Sequence, residues 1–513
     1  MGTHFTLLDG LVLAAYFVAM MAIGFGFRAR SRSVEGFTAA GRNLPGWLCG
    51  LSILATYISS ISFLALPGKA FAANWNPFAF GLALPIATWI GVRWFLPFYR
   101  RSGCVSAYTH FEERFGAWAR VYVSSCYLLN QLTRMGIITY LMALPMSVLL
   151  GWNIQTIIVL TTIATAVYTL VGGITAVIWS DALQTIVLMV GALVCAVLMV
   201  VGLPGGFRQF VELGNAHDKF SLGSFGGDLT QSTFWVVLVY GLVINLQNFG
   251  VDQNYIQRYH AAESDQAARR SLWLGGLLYI PLSAVFFFIG TALFAYYTAW
   301  PEALPAEFRG TEMADFVFPY FIVSVLPSGV TGLLIAAIFS AAMSTISTSL
   351  NSSATILLDD YYRRFVDRET GEKRGMIVLR VATILWALGA MGIALAMTTF
   401  VRSALDASWI LSGIFSGGML GLFLLGFLSR RATSHIAAAG VFAGVAVTFW
   451  MTISPRWDVW PEAMRSPFHG FLIAVFGTAA ILLVGGVLTM LVAPRSTKTP
   501  SVGPESNFTS KPR

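Results

Sequence analysis

Charge is what this chain most lacks. Only 11% of its 513 residues are Asp, Glu, Lys or Arg, against about a quarter in soluble proteins, and that excludes an ordinary water-soluble domain. Cysteine is scarce as well. Cys49, Cys104, Cys126 and Cys195 are scattered with neither paired nor metal-ligand spacing, which excludes a disulfide framework and a thiolate metal centre. The histidines (His4, His110, His217, His260, His435 and His469) are equally dispersed. No nucleotide-binding loop, zinc motif or nucleophile elbow is present, so neither an ATP-driven pump nor a membrane enzyme has visible machinery. No secretory leader is expected either: the run from Leu7 to Phe27 lacks a basic flank and is too long, and it reads as a retained first span.

What the chain has in excess is apolar length. It is 56% hydrophobic, and its runs repeatedly reach the roughly 20 residues that cross a bilayer. The expected fold is an all-α polytopic membrane protein of about 13 transmembrane helices, near 7–27, 46–71, 77–99, 120–150, 153–173, 174–203, 232–250, 272–299, 328–358, 376–400, 405–428, 434–454 and 468–493. Residues 1–493 are expected to form one transmembrane domain, followed by a disordered tail, 494–513, rich in Ser, Thr, Lys and Pro. The connections near 204–231 and 300–327 are too short for a separate domain, although the second has room for a short extracellular helix.

The net charge of +8 does not point to nucleic acid, because the basic residues sit in short connections between spans. Arg28, Arg30 and Arg32, then Arg100 and Arg101, then Arg269 and Arg270, then Arg363 and Arg364 fall on one side. The loop with Glu302, Glu307, Glu312 and Asp315 falls on the other. Positive charge marks the cytoplasm, so the N-terminus is expected outside and the C-terminus inside, in the cell (inner) membrane. The expected partners are the lipid bilayer and a small solute, with the chain acting as a monomer.

Polarity is concentrated in three apolar runs. The second carries Thr56, Tyr57, Ser59, Ser60 and Ser62, between Gly46 and Gly50 on one side and Pro67-Gly68 on the other. Irregular backbone at membrane depth survives only in protein or beside a cavity, and in carriers broken helices present carbonyls to a cation. The alternative is a helix contact glued by small hydroxyls. The seventh run is the counterpart, with Asn245, Gln247 and Asn248 between Gly241 and Gly250. Two interrupted runs five spans apart imply inverted repeats over about 46–203 and 232–428. In the ninth run Ser344, Ser347 and Thr348 recur at i, i+3, i+4, with Thr345 beside them, so one helix face is a ladder of neutral oxygens suited to a monovalent cation. Packing or back-bonding to the helix's own carbonyls is the competing explanation.

Three charges need a reason. Asp181, near the start of the sixth run, is a cation ligand, a proton carrier or a helix cap. Arg134, midway along the fourth, grips either a substrate carboxylate or a structural anion. Asp252, Gln257 and Arg258 form either an inner-gate network or a solvated cytoplasmic loop.

Taken together, Gly172-Gly173 with Trp179-Ser180-Asp181, Asp252-Gln253…Gln257-Arg258-Tyr259 and Ser344-Thr345…Leu350-Asn351-Ser352 resemble the sodium:solute symporter family, from about Leu7 to Arg364. Its members include sodium-coupled sugar, iodide, proline and sialic acid carriers. The resemblance implies a five-plus-five inverted repeat (LeuT-type) with broken second and seventh helices, sodium as the coupling ion and no other cofactor. It implies a main sodium site from Ala55, Ile58 and Ala341 carbonyls with the Ser344 and Thr345 hydroxyls, and a second from Asp181, Ser344, Ser347 and Thr348. One or two sodium ions per cycle follow.

Through Pro67-Gly68-Lys69-Ala70-Phe71 and the run Leu333 to Phe339 the chain is most similar to the bacterial sodium/sialic acid branch. There, positions matching Ser59, Ser62 and Arg134 grip the substrate carboxylate; Tyr57, Ser60, Asn245, Gln247 and Asn248 complete the expected pocket. Tyr57 and Gly81 depart from that branch, which has a smaller hydroxyl and an amide there. A sodium-coupled symporter of a sialic acid-like or smaller carboxylate is expected. The alternatives are a neutral-sugar symporter, a proton-coupled carrier using Asp181, a sensor and a channel.

Overall fold

The computed structural model describes residues 5–310, 313–400, 418–457 and 460–492. Within them the helices used below are α1 (Leu7–Gly26), α2 (Gly46–Tyr57), α3 (Ser60–Ala72), α4 (Asn76–Ser102), α5 (Ala117–Leu150), α6 (Ile154–Val201) and α7 (Phe234–Val251). They continue as α8 (Gln253–Ala261), α9 (Asp265–Ala299), α10 (Val330–Ile356), α11 (Glu372–Phe400), α12 (Met419–Leu428), α13 (Ser434–Ile453) and α14 (Leu472–Val492). Among the described residues nine helices are long and apolar enough to cross a bilayer, or ten with the bent α2–α3 pair taken as one span. The expected eleventh span lies mostly outside the described residues, as does the tail 494–513. The connection at 300–327 does hold a short helix, Ala314–Ser324, buried against α3.

Two interruptions organise the packing. The first separates α2 from α3, which meet at 55°. Ile58 (φ −99°, ψ 113°) and Ser59 (φ −105°, ψ 170°) are extended, and the Ser59 hydroxyl accepts from the Ser62 N–H at 3.4 Å. The hydroxyl run thus caps a second helix within one span, leaving the last carbonyls of α2 without intrahelical donors. The second interruption is Gly173, inside α6 at φ 55°, ψ −156°. A Cβ there would lie 2.9 Å from Ser31 Oγ and 3.0 Å from Phe37 Cα, so only glycine fits. The boundary expected between the fifth and sixth runs is this break.

The seventh run differs from expectation. Asn245, Gln247 and Asn248 lie in unbroken helix, and the interruption comes at Asp252 (φ −80°, ψ 118°), which caps α8 through its bond to the Asn254 N–H at 2.8 Å. Side-chain amides that do not bond the helix's own backbone leave it intact, whereas an Asp cap starts a new helix. Every residue of α8 is buried, so this segment is no solvated loop.

Helix α10 lies at the centre, buried along almost its whole length. Its start is held to α1 by Asp9, whose Oδ1 accepts from the Gly329 and Gly332 N–H groups at 2.7 and 2.8 Å. Its other neighbours include α6, α5, α11, α2, α3 and α8. The polar face of α10 therefore meets the α2–α3 break.

Candidate functional site

Where α2 ends against α10, oxygens converge. Ser344 Oγ lies 3.5 Å from the Ala55 carbonyl and 3.3 Å from that of Ala341, and Thr345 Oγ1 lies 3.2 Å from the same Ala341 oxygen. These separations exceed the 2.7–2.8 Å of a good hydroxyl hydrogen bond and suit oxygens ringed around a small cation. A cavity of about 10 Å³, bordered by Ala55, Ile58, Ala341 and Ser344, sits beside them. Such a volume holds one water-sized particle. Every residue expected at the main sodium site is in this cluster.

One turn away along both helices is a buried ion pair. Arg258 on α8 donates from Nη2 to Asp181 Oδ2 (2.9 Å) and Thr348 Oγ1 (2.7 Å), and from Nε to Ser52 Oγ (2.8 Å). Its Nη1 donates to the Asn254 carbonyl. Ser52 Oγ donates in turn to Asp181 Oδ2 at 2.6 Å. Both charged side chains are wholly shielded from solvent. Four segments, α2, α6, α8 and α10, are thereby locked together.

Arg258 therefore pairs with Asp181 and not with Asp252, the nearer acid in sequence. Nor is Asp181 a cap: it lies in mid-helix, beyond the Gly173 break. Of the expected second cation set, Thr348 reaches Asp181 at 3.4 Å, whereas Ser347 bonds back to the Ser344 carbonyl at 3.1 Å. Asp181 Oδ1 has no hydrogen-bond partner among the described residues. Gln257 binds Thr355 Oγ1 (2.9 Å), Asn351 Oδ1 (3.3 Å) and the Thr38 carbonyl (3.2 Å), adding a further tie from α8 to α10.

A larger cavity, about 380 Å³, opens above the lock. On α7 it is lined by Tyr240, Ile244, Gln247 and Asn248, one helical face leading down to Asp252. Facing them are Thr56, Tyr57 and Ser62 from the α2–α3 break, Asn130 and Arg134 from α5, and the start of α14 at Ile473 and Ala474. The buried helix α8 closes the cavity at its Asp252 end.

Of the expected pocket residues, Tyr57, Ser62, Arg134, Gln247 and Asn248 line this cavity. Ser59 stands behind Ser62, with their hydroxyls 3.5 Å apart. Besides Ser59, two more do not belong to the lining: Ser60 donates to the Ile138 carbonyl on α5 at 3.5 Å, and Asn245 is fully buried off the cavity face. Adjacent residues on a helix point in different directions, so a polar cluster cannot all face one ligand. Asn130, Tyr255, Tyr279 and Ser52 are contributors the sequence reading missed. Asn130 sits four residues before Arg134, a spacing that already placed it on the same face.

The sodium:solute symporter family model matches residues 37–444. The sodium/sialic acid symporter NanT of Aliivibrio fischeri is 33% identical over 94% of this chain and 92% of its own. The sodium/sialic acid symporter SiaT of Proteus mirabilis is 32% identical over 96% of each chain. A sodium-coupled sialic acid symporter solved in a substrate-bound outward-open state superposes with a TM-score of 0.87, at 31% identity, over 96% of this chain and 98% of that one. The all-helical fold, the broken α2–α3 span and the match across most of the length agree: this chain belongs to the sodium:solute symporter family.

Proposed function

We propose that the chain is a sodium-driven importer of a small carboxylate-bearing solute, sialic acid-like or smaller. The carbonyls of Ala55, Ile58 and Ala341 with the hydroxyls of Ser344 and Thr345 hold one sodium ion between α2 and α10. A second ion draws on Asp181, Ser344, Ser347 and Thr348, a reading supported by the buried and unbonded Oδ1 of Asp181. The solute's carboxylate is gripped by Arg134 with Ser62, and Ser59 orients Ser62. Sodium fastens α2 to α10 and preorganises the wall of the larger cavity, so coupling is a difference in sodium affinity between two states. On this reading the protein works in the inner membrane as a monomer in lipid, with its N-terminus outside. Its repeats span about 46–203 and 232–428, and the cavity opens outward.

The observation that carries this reading is the Arg134 guanidinium, which makes no hydrogen bond or ion pair among the described residues while lining a cavity at membrane depth. An arginine so placed requires an anion. The test is uptake of N-acetylneuraminate and of short carboxylates into proteoliposomes under a sodium gradient. Uptake should follow sodium and vanish in Arg134→Ala. Uptake driven by a pH gradient without sodium, or undiminished in Arg134→Ala, would overturn it.

A further inference from the structure

The larger cavity holds an acid as well as a base. Asp252 lines its floor, and of its two carboxylate oxygens only Oδ1 is engaged, by the Asn254 N–H. Arg134 lines the same cavity, and no ion pair joins the two among the described residues. The two charges face each other across the cavity without touching, so a solute carboxylate that takes up Arg134 leaves the Asp252 carboxylate in need of a cation at this depth. If the solute were a plain acid, its binding would answer Arg134 and leave Asp252 facing a new negative charge.

The remaining walls favour a particular kind of cation. Tyr57, Phe80, Tyr240, Tyr255 and Tyr279 all border the cavity. They form a contiguous sheet of rings: Tyr57 lies 5.2 Å from Tyr255 and 5.4 Å from Tyr279, and Phe80 lies 5.8 Å from Tyr240 and 6.3 Å from Tyr279, centroid to centroid. Aromatic faces attract weakly hydrated ammonium groups, above all alkylated ones. Tyr255 is also three residues beyond Asp252 on the helix that Asp252 caps, so ring and carboxylate are placed by one element.

We propose that the solute is a zwitterion, with its carboxylate on Arg134 and an ammonium group held by Asp252 within the ring of tyrosines. The proposal rests on the carboxylate reading above and narrows it. It also gives Tyr57 a purpose, as part of the cation's wall and not simply as a bulkier replacement.

The test uses isosteric pairs that differ only in charge at one atom: glycine betaine against 3,3-dimethylbutanoate, and γ-butyrobetaine against 5,5-dimethylhexanoate. Binding is measured by calorimetry or thermal shift on the purified full-length chain in sodium. The betaine of at least one pair should bind about tenfold or more tightly than its carbon isostere. Asp252→Asn should bring that ratio toward one; Asn caps a helix as well as Asp, so the fold is kept. Arg134→Gln should weaken both members of a pair. Equal binding of the two isosteres, or a ratio untouched by Asp252→Asn, overturns the zwitterion and leaves the carboxylate reading standing. If no carboxylate binds at all while a neutral sugar does, the carboxylate reading falls first.

Discussion

Replacing Arg258 with Met removes the cation of the lock while keeping most of its volume. The substitution strands Asp181, which is fully enclosed and accepts from Arg258 at 2.9 Å. It also deprives Ser52, Thr348 and the Asn254 carbonyl of their donors. Breaking one side of a buried pair costs about 3–5 kcal/mol, which is a factor of about 150 to 5,000 in a two-state equilibrium. If the pair forms only when the inner end is shut, the whole penalty falls on the shut state. Amide hydrogen exchange across 253–261 reads this directly, because that segment is buried throughout in the shut state. Exchange should accelerate by a factor within that range in sodium-free potassium buffer. The double variant Asp181→Asn/Arg258→Met has no stranded charge and should sit closer to the parent than Arg258→Met does. Unchanged protection in Arg258→Met, or a double variant as open as the sum of the two singles, would refute the assignment of this pair as the inner closure.

Three other outcomes are expected. Ser344→Ala should weaken the sodium dependence of uptake by about ten- to a hundredfold, the worth of one oxygen bonded to a charge; an unaltered half-saturating sodium concentration would remove Ser344 from the site. Gly173→Ala should destabilise the folded protein by more than about 1 kcal/mol, since φ is positive and Phe37 Cα blocks the methyl at 3.0 Å, and a parent-like melting midpoint would contradict that. His110, on the short helix Thr109–Phe115 between α4 and α5, is pushed down from 6.5 to about 4 by burial and by the nearby Arg114. An unfolded chain takes up that proton near pH 6.5 and the folded one only near 4, so the stabilisation is complete above 6.5 and declines as pH falls. His110→Phe, which retains the packing on Phe98, should flatten the loss of melting temperature between about pH 7 and 4; an equally steep loss would exclude His110 as its source.

The features legible in the sequence were those written in local pattern. Hydroxyls that cap a restarted helix sit beside the residues they cap, so the break at Ile58–Ser59 could be read from Thr56 to Ser62. The span boundary expected at 173–174 fell on the bend in α6, and the period of Ser344, Ser347 and Thr348 gave the polar face of α10. The partner of Arg258 had no such signature. Asp252 is six residues away and Asp181 is 77 away, yet Asp252 is taken up in starting α8 and points into the cavity, while the Gly173 bend brings Asp181 under the guanidinium. Tyr255 and Tyr279 were invisible for a related reason. Aromatic residues pack everywhere in a membrane protein, and only the meeting of α8 and α9 with α2 sets these two beside Tyr57.

Lock and cation cradle share their supports. Helix α2 supplies Ala55 to the cradle and, one turn earlier, Ser52 to the lock; α10 supplies Ser344 and Thr345 to the cradle and, one turn later, Thr348 to the lock. A sodium ion that draws Ala55 and Ile58 onto Ser344 must also bring Ser52 toward Thr348, because a single helical turn is stiff. Ion binding thus favours the closed lock, and by linkage the closed lock must favour the ion by the same factor. The double variant Asp181→Asn/Arg258→Met separates this from simple charge loss. It deletes the lock and the Asp181 carboxylate, leaving only the cradle for sodium, with no substituted residue among the cradle's oxygens. Its sodium affinity, titrated by tryptophan fluorescence, should drop by about 5- to 150-fold, the span of typical coupling energies. A parent-like affinity there would mean that α2 and α10 hold the ion without regard to Arg258, and the inner closure would have to be coupled to sodium by some other route.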